Sequence, residues 1–338
     1  MLRLGARVAV PFRLNALVYS LATILAILVA SAATLTMGRL GVPLAELPSA
    51  LLGGAEGKTA FVLERLRGPR LATAILAGAL LGLSGALFQT VTRNPLGSPD
   101  VIGVGAGAGA GVAVTSLYFS GVPTPVGAAL GAGAAALTIH VCTGSGFRSP
   151  TRTIIAGIGV AAAAYAVTQY VVSAKLRDAA AQLAAYLVGS LNAASLQDVL
   201  VTGGAVALIL PAAMTLTRGM HLLEMGDETA AGLGTNPDRT RSLAITLSVL
   251  AAGAAVAAAG PVSFVALTAP QIAKRIVRSA DVGVLPAVLT GSLLLVVADL
   301  AAQQLPLAAG LPVGVLTLGV GGIYLGYLLL SEHSKGRL

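Results

Sequence analysis

The densest group of charged side chains in this chain lies between residues 218 and 241. Mixed charge at this density is stable in water or against a polar partner, because burying an unpaired charge in an apolar core is costly. The segment therefore indicates a contact surface for a protein partner, with a solvent-exposed connector that has no partner as the alternative. Its charged residues are Arg218, Glu224, Asp227, Glu228, Asp238, Arg239 and Arg241.

Helix signals inside this segment predict a short helix between two longer ones. Asp227 and Glu228 favour the first turn of a helix through the helix dipole, and Gly234 suits the left-handed residue that ends one. Asn236 and Pro237 are typical of the N-cap and first position of the helix that follows. A short helix held at both ends can transmit force to its neighbours.

Patterns that would support catalysis or metal binding are absent from the sequence. The histidines His140, His221 and His333 are dispersed, and Cys142 is the single cysteine. No Gly-x-x-x-x-Gly-Lys-Ser/Thr phosphate-binding motif occurs. An intramembrane hydrolase would need a histidine or another base beside its nucleophile, and no histidine lies in the middle of an apolar run. We therefore expect no catalytic residue, no metal site and no cofactor on this chain.

The elements that carry these residues are apolar runs of membrane-spanning length. Hydrophobic residues make up 56% of the 338 residues and charged residues 10%, with a mean hydropathy of +0.88; soluble domains have about 25% charged residues. Nine runs approach the roughly 20 residues that cross a bilayer, and Val262–Ile272, at about 11 residues, is a short span or a re-entrant segment. The nine runs are Leu14–Met37, Leu71–Thr92, Val101–Ser120, Val122–Cys142, Thr153–Ala174, Val199–Thr217, Ser242–Ala259, Val282–Ala298 and Leu311–Leu330. We expect an all-α polytopic membrane protein with about ten transmembrane helices in a single domain, residues 1–338.

The basic residues predict the orientation of these spans. With ten spans both termini lie on one side, and 14 of the 21 basic residues fall on that side. The positive-inside rule then predicts a multi-pass membrane protein with cytoplasmic termini. The net charge of +8 reflects this bias; the basic residues are scattered and are not interleaved with aromatic residues, so nucleic acid is not an expected partner. The 14 residues are Arg3, Arg7, Arg13, Arg93, Arg148, Arg152, Arg218, Arg239, Arg241, Lys274, Arg275, Arg278, Lys335 and Arg337.

The first apolar run also contains a sequence that resembles a signal-peptide cleavage site, Ala30-Ser31-Ala32. The run continues to Met37, which is longer than the roughly 7–15 residues of a signal-peptide core. We expect the first span to remain uncleaved.

Two proline-containing breaks interrupt the apolar pattern. The stretch 93–100, Arg-Asn-Pro-Leu-Gly-Ser-Pro-Asp, should end the second span sharply, and the glycines Gly103, Gly107 and Gly111 then share one helix face. Small residues on one face allow close packing of membrane helices. In the stretch 259–275, Gly-Pro and Ala-Pro pairs bracket the short apolar segment, and such interruptions are typical of transport pathways.

On the opposite face, residues 40–70 form the longest predicted outer segment. Its stretch Leu44–Leu52 is patterned for an interfacial helix, followed by the basic cluster Arg65, Arg67 and Arg70. This cluster predicts an exposed basic platform.

Together, the order of these motifs resembles the FecCD family of ABC-transporter permeases, which import iron–siderophore complexes, haem or vitamin B12 and include the vitamin B12 permease. The likeness covers nearly the whole chain. It rests on Arg67-Gly68-Pro69-Arg70, Gly78, Gly85, Gln89, Arg93-Asn94-Pro95-Leu96, Pro99, Gly103, Gly189-Ser190-Leu191, Gly226-Asp227-Glu228-Thr229-Ala230, Leu233-Gly234, Gly260-Pro261-Val262, Phe264-Val265, Ala269-Pro270, Ala298-Asp299 and Leu311-Pro312-Val313-Gly314.

The resemblance implies a type II ABC importer fold of ten helices per subunit, located in the prokaryotic plasma (inner) membrane. It further implies a second permease subunit, identical or paralogous, two cytosolic ABC ATPase subunits that hold ATP and Mg, and an extracytoplasmic substrate-binding protein. The transported substrate would be a metal chelate, foremost an iron–siderophore complex, with haem or cobalamin as alternatives.

The same resemblance assigns roles to particular residues. In the cytosolic loop 218–241, the residues that contact the ATPase would be Gly226, Asp227, Glu228, Thr229, Ala230, Leu233 and Gly234. Arg67 and Arg70 would bind glutamates of the binding protein, with anchoring at the lipid headgroups as the alternative. The fifth span would line the translocation path, with Thr151 near a gate; for Gln169 a hydrogen bond to another helix is the alternative.

Several positions depart from the family pattern, among them two glutamines. Gln303 stands where the vitamin B12 permease has an arginine, and Gln271 stands where the family usually has a histidine.

A secondary transporter built from broken helices is the rival interpretation. It would use a membrane-embedded carboxylate for ion coupling, and Asp299, at the outer end of its span, is the nearest candidate.

Overall fold

The fold is almost entirely helical. The computed structural model describes residues 2–3, 9–10, 14–38, 40–119, 121–144, 149–175, 186–278, 283–308 and 310–333. At the N-terminus, β1 (Leu2–Arg3) pairs antiparallel with β2 (Ala9–Val10), a small departure from the all-α expectation. Of the basic residues used for orientation, seven lie outside the described residues: Arg7, Arg13, Arg39, Arg148, Arg177, Lys335 and Arg337.

Ten helical segments correspond to the ten predicted spans. Among the residues that the structure describes, seven helices are long and apolar enough to cross a membrane by length and composition: α1, α4 with its N-terminal extension, α6, α7, α8, α10 and α12. Helices α5 and α13 contain shorter apolar segments, and α11 has 13 residues. The helices are α1 (Leu14–Thr36), α2 (Leu47–Ser49), α3 (Gly57–Phe61), α4 (Arg67–Thr92), α5 (Val104–Tyr118), α6 (Thr124–Cys142), α7 (Pro150–Lys175), α8 (Leu196–Glu224), α9 (Asp227–Gly232), α10 (Pro237–Ala259), α11 (Val265–Val277), α12 (Val284–Gln304) and α13 (Val313–His333).

Helix α4 lies at the centre of the bundle, and most of its residues are buried. Glycines let it approach α12 closely: a Cβ at Gly78 would lie 2.4 Å from the carbonyl oxygen of Gly291. On the side of α4 that faces α10, the hydroxyl groups of Ser84 and Ser248 lie 2.9 Å apart. Backbones this close give the van der Waals contact that membrane helices need in place of a hydrophobic driving force.

The break after α4 is sharper than the sequence pattern predicts. Arg93 ends α4 in a left-handed conformation (φ 49°), and a 3-10 turn, Pro99–Ile102, precedes the left-handed Gly103. Helix α5 therefore begins at Val104 and has 15 residues, so the predicted span from residue 101 to 120 is too long. A Cβ at Gly103 would lie 2.9 Å from the carbonyl oxygen of Gly157, so this turn packs against the middle of α7.

The glycine face predicted on α5 is confirmed at Gly107 and Gly111, whereas Gly103 precedes the helix and packs against α7. A Cβ at Gly107 would lie 2.8 Å from the carbonyl oxygen of Gly131 on α6, and one at Gly111 would lie 2.2 Å from that of Gly127. Only glycine permits this separation between α5 and α6.

The second break is an unwound stretch between α10 and α11. Gly260 (φ 70°) and Phe264 (φ 69°) mark its ends. Pro270 lies inside α11, so the prediction that Ala-Pro ends this helix is wrong. Because proline has no N–H, the Ala266 carbonyl lacks its intrahelical donor, and it faces Gly85, whose added Cβ would lie 1.8 Å away.

The outer segment 40–70 is more helical than expected. Helix α2 continues into a π-helical turn, Ala50–Gly54. From Gly57 the chain is helical without interruption to Thr92, and a π-helical turn, Val62–Leu66, precedes Pro69. The expected basic loop residues Arg65, Arg67 and Arg70 therefore lie on this helix rather than in a loop.

Candidate functional site

Helix α9 is a six-residue helix at the end of the bundle where α4 terminates. Gly226 (φ 112°) begins it and Gly234 (φ 81°) follows it, as the sequence predicts. Ala230 is fully buried, and its carbonyl oxygen accepts the Thr235 N–H at 2.9 Å. The other face of α9 is exposed, and so is Leu233 beside it, at 55%.

The next helix is fixed as predicted. The Asn236 side chain accepts the Arg239 N–H at 2.9 Å, and Pro237 occupies the first turn of α10. With α8 ending at Glu224, the short helix α9 is held between two spans.

The Asp227 clamp, which consists of Asp227, Arg93 and Arg241, fastens α9 to two spans. Arg241 Nη2, at the start of α10, donates to Asp227 Oδ1 at 2.9 Å and to Oδ2 at 2.8 Å. Arg93, at the end of α4, donates to Asp227 Oδ1 through Nη2 and to the Leu223 carbonyl oxygen through Nε, the latter at 2.9 Å.

The clamp stabilises the charged form of Asp227. Hydrogen bonding to Arg241 is the largest cause that lowers the Asp227 pKa below its usual value, with Arg93 adding to it against the effect of burial. Sequence reasoning placed Asp227 in the first turn of a helix but did not predict either arginine as its partner. Both arginines were predicted on the same side of the membrane as residues 218–241. That shared location is the sequence signal that could have indicated the pairing with Asp227.

At the opposite end of the bundle, Arg67 and Arg70 bind acceptors of this chain. Arg67 Nη1 donates to the carbonyl oxygens of Thr34 and Met37, both at 2.6 Å, and so caps the end of α1. Arg70 binds Asp299 with two nitrogens, from Nε at 2.9 and 3.0 Å and from Nη2 at 2.7 Å. These contacts favour a positioning role for both guanidinium groups.

Gln303 completes this buried pair by donating from Nε2 to Asp299 Oδ2 at 2.7 Å. Both arginines also line a cavity of about 460 Å³, which we call the Arg67 cavity. Its other lining residues include Leu40, Asn192, Gln304 and Leu311. Arg67 and Arg93 lie at the two ends of α4, about 39 Å apart at 1.5 Å per residue.

A cavity of about 300 Å³ is lined by the turn after α4, the start of α5, one face of α7 and the unwound stretch before α11. Gln169 lines it and donates from Nε2 to the Tyr165 hydroxyl at 2.6 Å. Both residues belong to α7, so this bond does not join two helices as expected. Thr151 is exposed at the start of α7. The polar lining is Asp100, Tyr165, Thr168, Gln169 and Ser263; we call this space the Asp100 cavity.

Gln271 and Gln303, the two glutamines that depart from the family pattern, both form hydrogen bonds within the chain. Gln271 donates from Nε2 to Gln89 Oε1 at 2.6 Å, and Gln89 Nε2 donates to the Leu267 carbonyl oxygen at 2.9 Å. This buried amide pair joins α4 to α11. Within the described residues, no group of three or more His, Cys, Asp and Glu could hold a metal ion.

A helical bundle with two broken segments, a polar cavity between them and a short helix clamped at one end defines a multi-pass membrane transport protein. The chain matches the model of the FecCD transport family over residues 23–331 and belongs to that family. It is 40% identical over 289 residues to the ferric enterobactin transport system permease protein FepG of Escherichia coli (strain K12), covering 85% of this chain and 88% of that protein.

A second relative agrees with this assignment, and a solved structure shares the fold. The achromobactin transport system permease protein CbrC of Dickeya dadantii (strain 3937) is 34% identical over 320 residues, or 93% of this chain and 90% of the relative. The fold matches that of a protein assigned as a metal-chelate type ABC transporter, solved in an inward-facing conformation, with a TM-score of 0.80 and 22% identity over 93% of this chain and 99% of that chain. The predicted family, helical membrane fold and permease class are confirmed.

Proposed function

We propose that this chain is the membrane subunit of an ATP-driven importer that moves a ferric chelate, foremost an iron–siderophore complex, with haem or cobalamin as alternatives. The relatives support this cargo class, since one is named for ferric enterobactin and another for achromobactin transport. ATP and Mg would be held by two separate ABC ATPase subunits, and a second permease subunit, identical or paralogous, would complete the path.

The observation that carries the proposal is the exposed face of α9. Glu228 and Thr229 project from a helix whose opposite side is buried at Ala230, and Leu233 is exposed directly after the helix. A rigidly held helix with one free polar and apolar face suits a groove on a partner, in the manner of other helix-in-groove contacts. We infer that α9 is the ATPase-coupling element within residues 218–241 and that it faces the cytoplasm, as do both termini.

At the other end, we propose that the rim around the Arg67 cavity receives the binding protein. Arg67 and Arg70 are held by this chain but remain on the cavity lining, so an acidic side chain entering the cavity would meet positive charge. Arg65 is exposed in the π-helical turn before α4 and lines a neighbouring cavity, so it adds positive charge beside the Arg67 cavity. Residues 40–70 would form this docking region.

The cargo path would follow α7, past Gln169 and the Asp100 cavity towards Thr151. Unwound or re-entrant stretches at membrane depth are found where they line a cavity, which fits the two breaks that border this space. The secondary-transporter alternative loses its candidate, because Asp299 is bound by Arg70 and Gln303 and is not free to relay ions.

Site-specific crosslinking tests the coupling contact. In a Cys142→Ser background, Leu233→Cys should crosslink to the ATPase subunit in the purified complex, since Leu233 is 55% exposed beside α9. The matched control is Leu208→Cys, which is 76% exposed but lies within the apolar span α8. Crosslinking at residue 208 and none at residue 233 would contradict the proposal.

A further inference from the structure

The Asp227 clamp joins three elements that the chain separates widely. Asp227 begins α9, Arg93 ends α4, and Arg241 lies in the first turns of α10. A single carboxylate therefore receives guanidinium groups from two spans. Arg241 is nearly buried, with 11% of its side chain exposed, whereas Asp227 and Arg93 keep 48% and 43%.

We propose that Arg93 and Arg241 are positioning residues that carry movement of α9 to α4 and to the turn beside the Asp100 cavity. This inference rests on the proposed function, since it requires that α9 is the element moved by ATP hydrolysis. It assigns the transmission of that movement to two specific side chains, rather than to the covalent connections of α9 alone.

Arg93 is suited to this role because it is held from two directions. Its backbone is left-handed, and its side chain binds both Asp227 and the Leu223 carbonyl oxygen at the end of α8. A fork-shaped guanidinium can keep both acceptors in one fixed geometry, which a lysine cannot. Displacement of α9 would therefore pull on the residue that ends α4.

The turn after Arg93 is rigid enough to pass such a displacement on. The Asn94 carboxamide oxygen accepts the Leu96 N–H at 2.9 Å, and the Gly97 N–H donates to the Asn94 carbonyl oxygen at 3.0 Å. Ser98 caps the 3-10 turn that carries Asp100 into the cavity wall. Six residues thus separate the clamp from a residue that lines the cavity beside Gln169.

Arg241 fixes the other side of α9. Its Nη2 spans both oxygens of Asp227, and its Nη1 lies 3.5 Å from Asp238 Oδ1. Because α10 also packs against α4, both arginines bear on the same central helix. Because of these contacts, α9 cannot move without displacing α4 or breaking a hydrogen bond between charged groups.

The test uses the assembled transporter, with its ATPase and binding protein, in proteoliposomes. The variants are Arg93→Gln, Asp227→Asn and the two combined, with uptake of ferric enterobactin and ferric citrate as probes and ATP hydrolysis measured in parallel. We expect each variant to co-purify with the ATPase and to hydrolyse ATP, while cargo moved per ATP falls about tenfold. The double variant should fall no further than Asp227→Asn alone, because Asp227→Asn already removes the Arg93 link together with the Arg241 link.

Arg278→Gln is the matched control, because Arg278 is an exposed arginine that ends α11 in the same left-handed conformation as Arg93 and lies outside residues 218–241. It should leave the uptake per ATP unchanged. Arg93→Lys keeps the charge without the fork, and we expect an intermediate ratio; it also replaces Arg93→Gln if that variant does not fold.

Unchanged uptake per ATP in the Arg93 and Asp227 variants, or a double variant that falls by the product of the two single effects, would overturn the inference. Failure of the wild-type chain to co-purify with any ATPase would instead overturn the proposed function. The two failures are therefore distinguishable.

Discussion

Removing the charge of Asp299 should destabilise the bundle strongly, because Arg70 would lose its counter-ion. The Asp299 side chain is 2% exposed and that of Arg70 is 19% exposed, and the two groups share three hydrogen bonds no longer than 3.0 Å. Breaking a buried ion pair on one side costs about 3–5 kcal/mol. Since Arg70 keeps some contact with solvent, we expect Asp299→Asn to cost about 3 kcal/mol, the lower end of that range.

Thermal unfolding of the purified protein in detergent measures this loss. At about 2 °C per kcal/mol for a chain of this size, the midpoint should fall by about 6 °C. Because the chain contains no tryptophan, temperature-series gel filtration is a suitable readout. Glu64→Gln removes an exposed carboxylate near the same end and serves as the matched control, with a shift within about 0.5 kcal/mol.

The interaction energy between Asp299 and Arg70 can be measured by adding Arg70→Gln and the double variant. If the two groups stabilise each other, the double variant should be more stable than the sum of the single losses predicts, by about 1–3 kcal/mol. An Asp299→Asn variant as stable as the wild type, together with an additive double variant, would refute the reasoning. Arg70 would then be available to a partner rather than bound within the chain.

Three further predictions concern packing, protonation and partner binding. Gly85→Ala should lower the free energy of unfolding by about 1–3 kcal/mol, because its Cβ would meet the Ala266 carbonyl oxygen. Gly204→Ala has open space around its Cβ and should leave the free energy of unfolding unchanged. Because the arginines lower the pKa of Asp227, its stabilising effect is complete above the unfolded pKa of about 3.9 and is lost as pH falls through the folded pKa. The free energy of unfolding of the wild type and of Asp227→Asn can be compared from about pH 6 to about pH 3. The difference between them should shrink as the pH falls below about 3.9. A difference that stays constant would contradict this prediction. Leu233→Asp should weaken co-purification with the ATPase at least about tenfold in a dilution series, and full recovery would contradict the docking of this face.

Spans and short helices follow from local rules and were therefore predictable from the sequence. Apolar runs, the acidic first turn of α9, the Asn236 cap and the glycine face of α5 each depend on residues within one or two turns of one another. The boundaries near Arg93 and Gly103 were less accurate. Left-handed residues and a 3-10 turn shorten α5, and their conformation is decided by packing against α7 rather than by local pattern.

The side-chain partners were not predictable, because they join residues far apart in sequence. Asp227 and Arg93 are 134 positions apart, and Arg70 and Asp299 are 229 apart. Sequence pattern places such residues at the same end of the bundle but does not decide which of several charges pair. That limit explains why the arginines predicted for an outer contact prove to bind acceptors within the chain.

The central claim is that α9 couples this permease to ATP hydrolysis on a separate subunit. The most direct measurement is uptake of ferric enterobactin into proteoliposomes that contain the chain with its ATPase and binding protein, with and without ATP and with and without an ionophore. We predict uptake that requires ATP, that is unaffected by the ionophore and that is lost with Leu233→Asp. Uptake that proceeds without ATP and follows an imposed proton or sodium gradient would contradict the account.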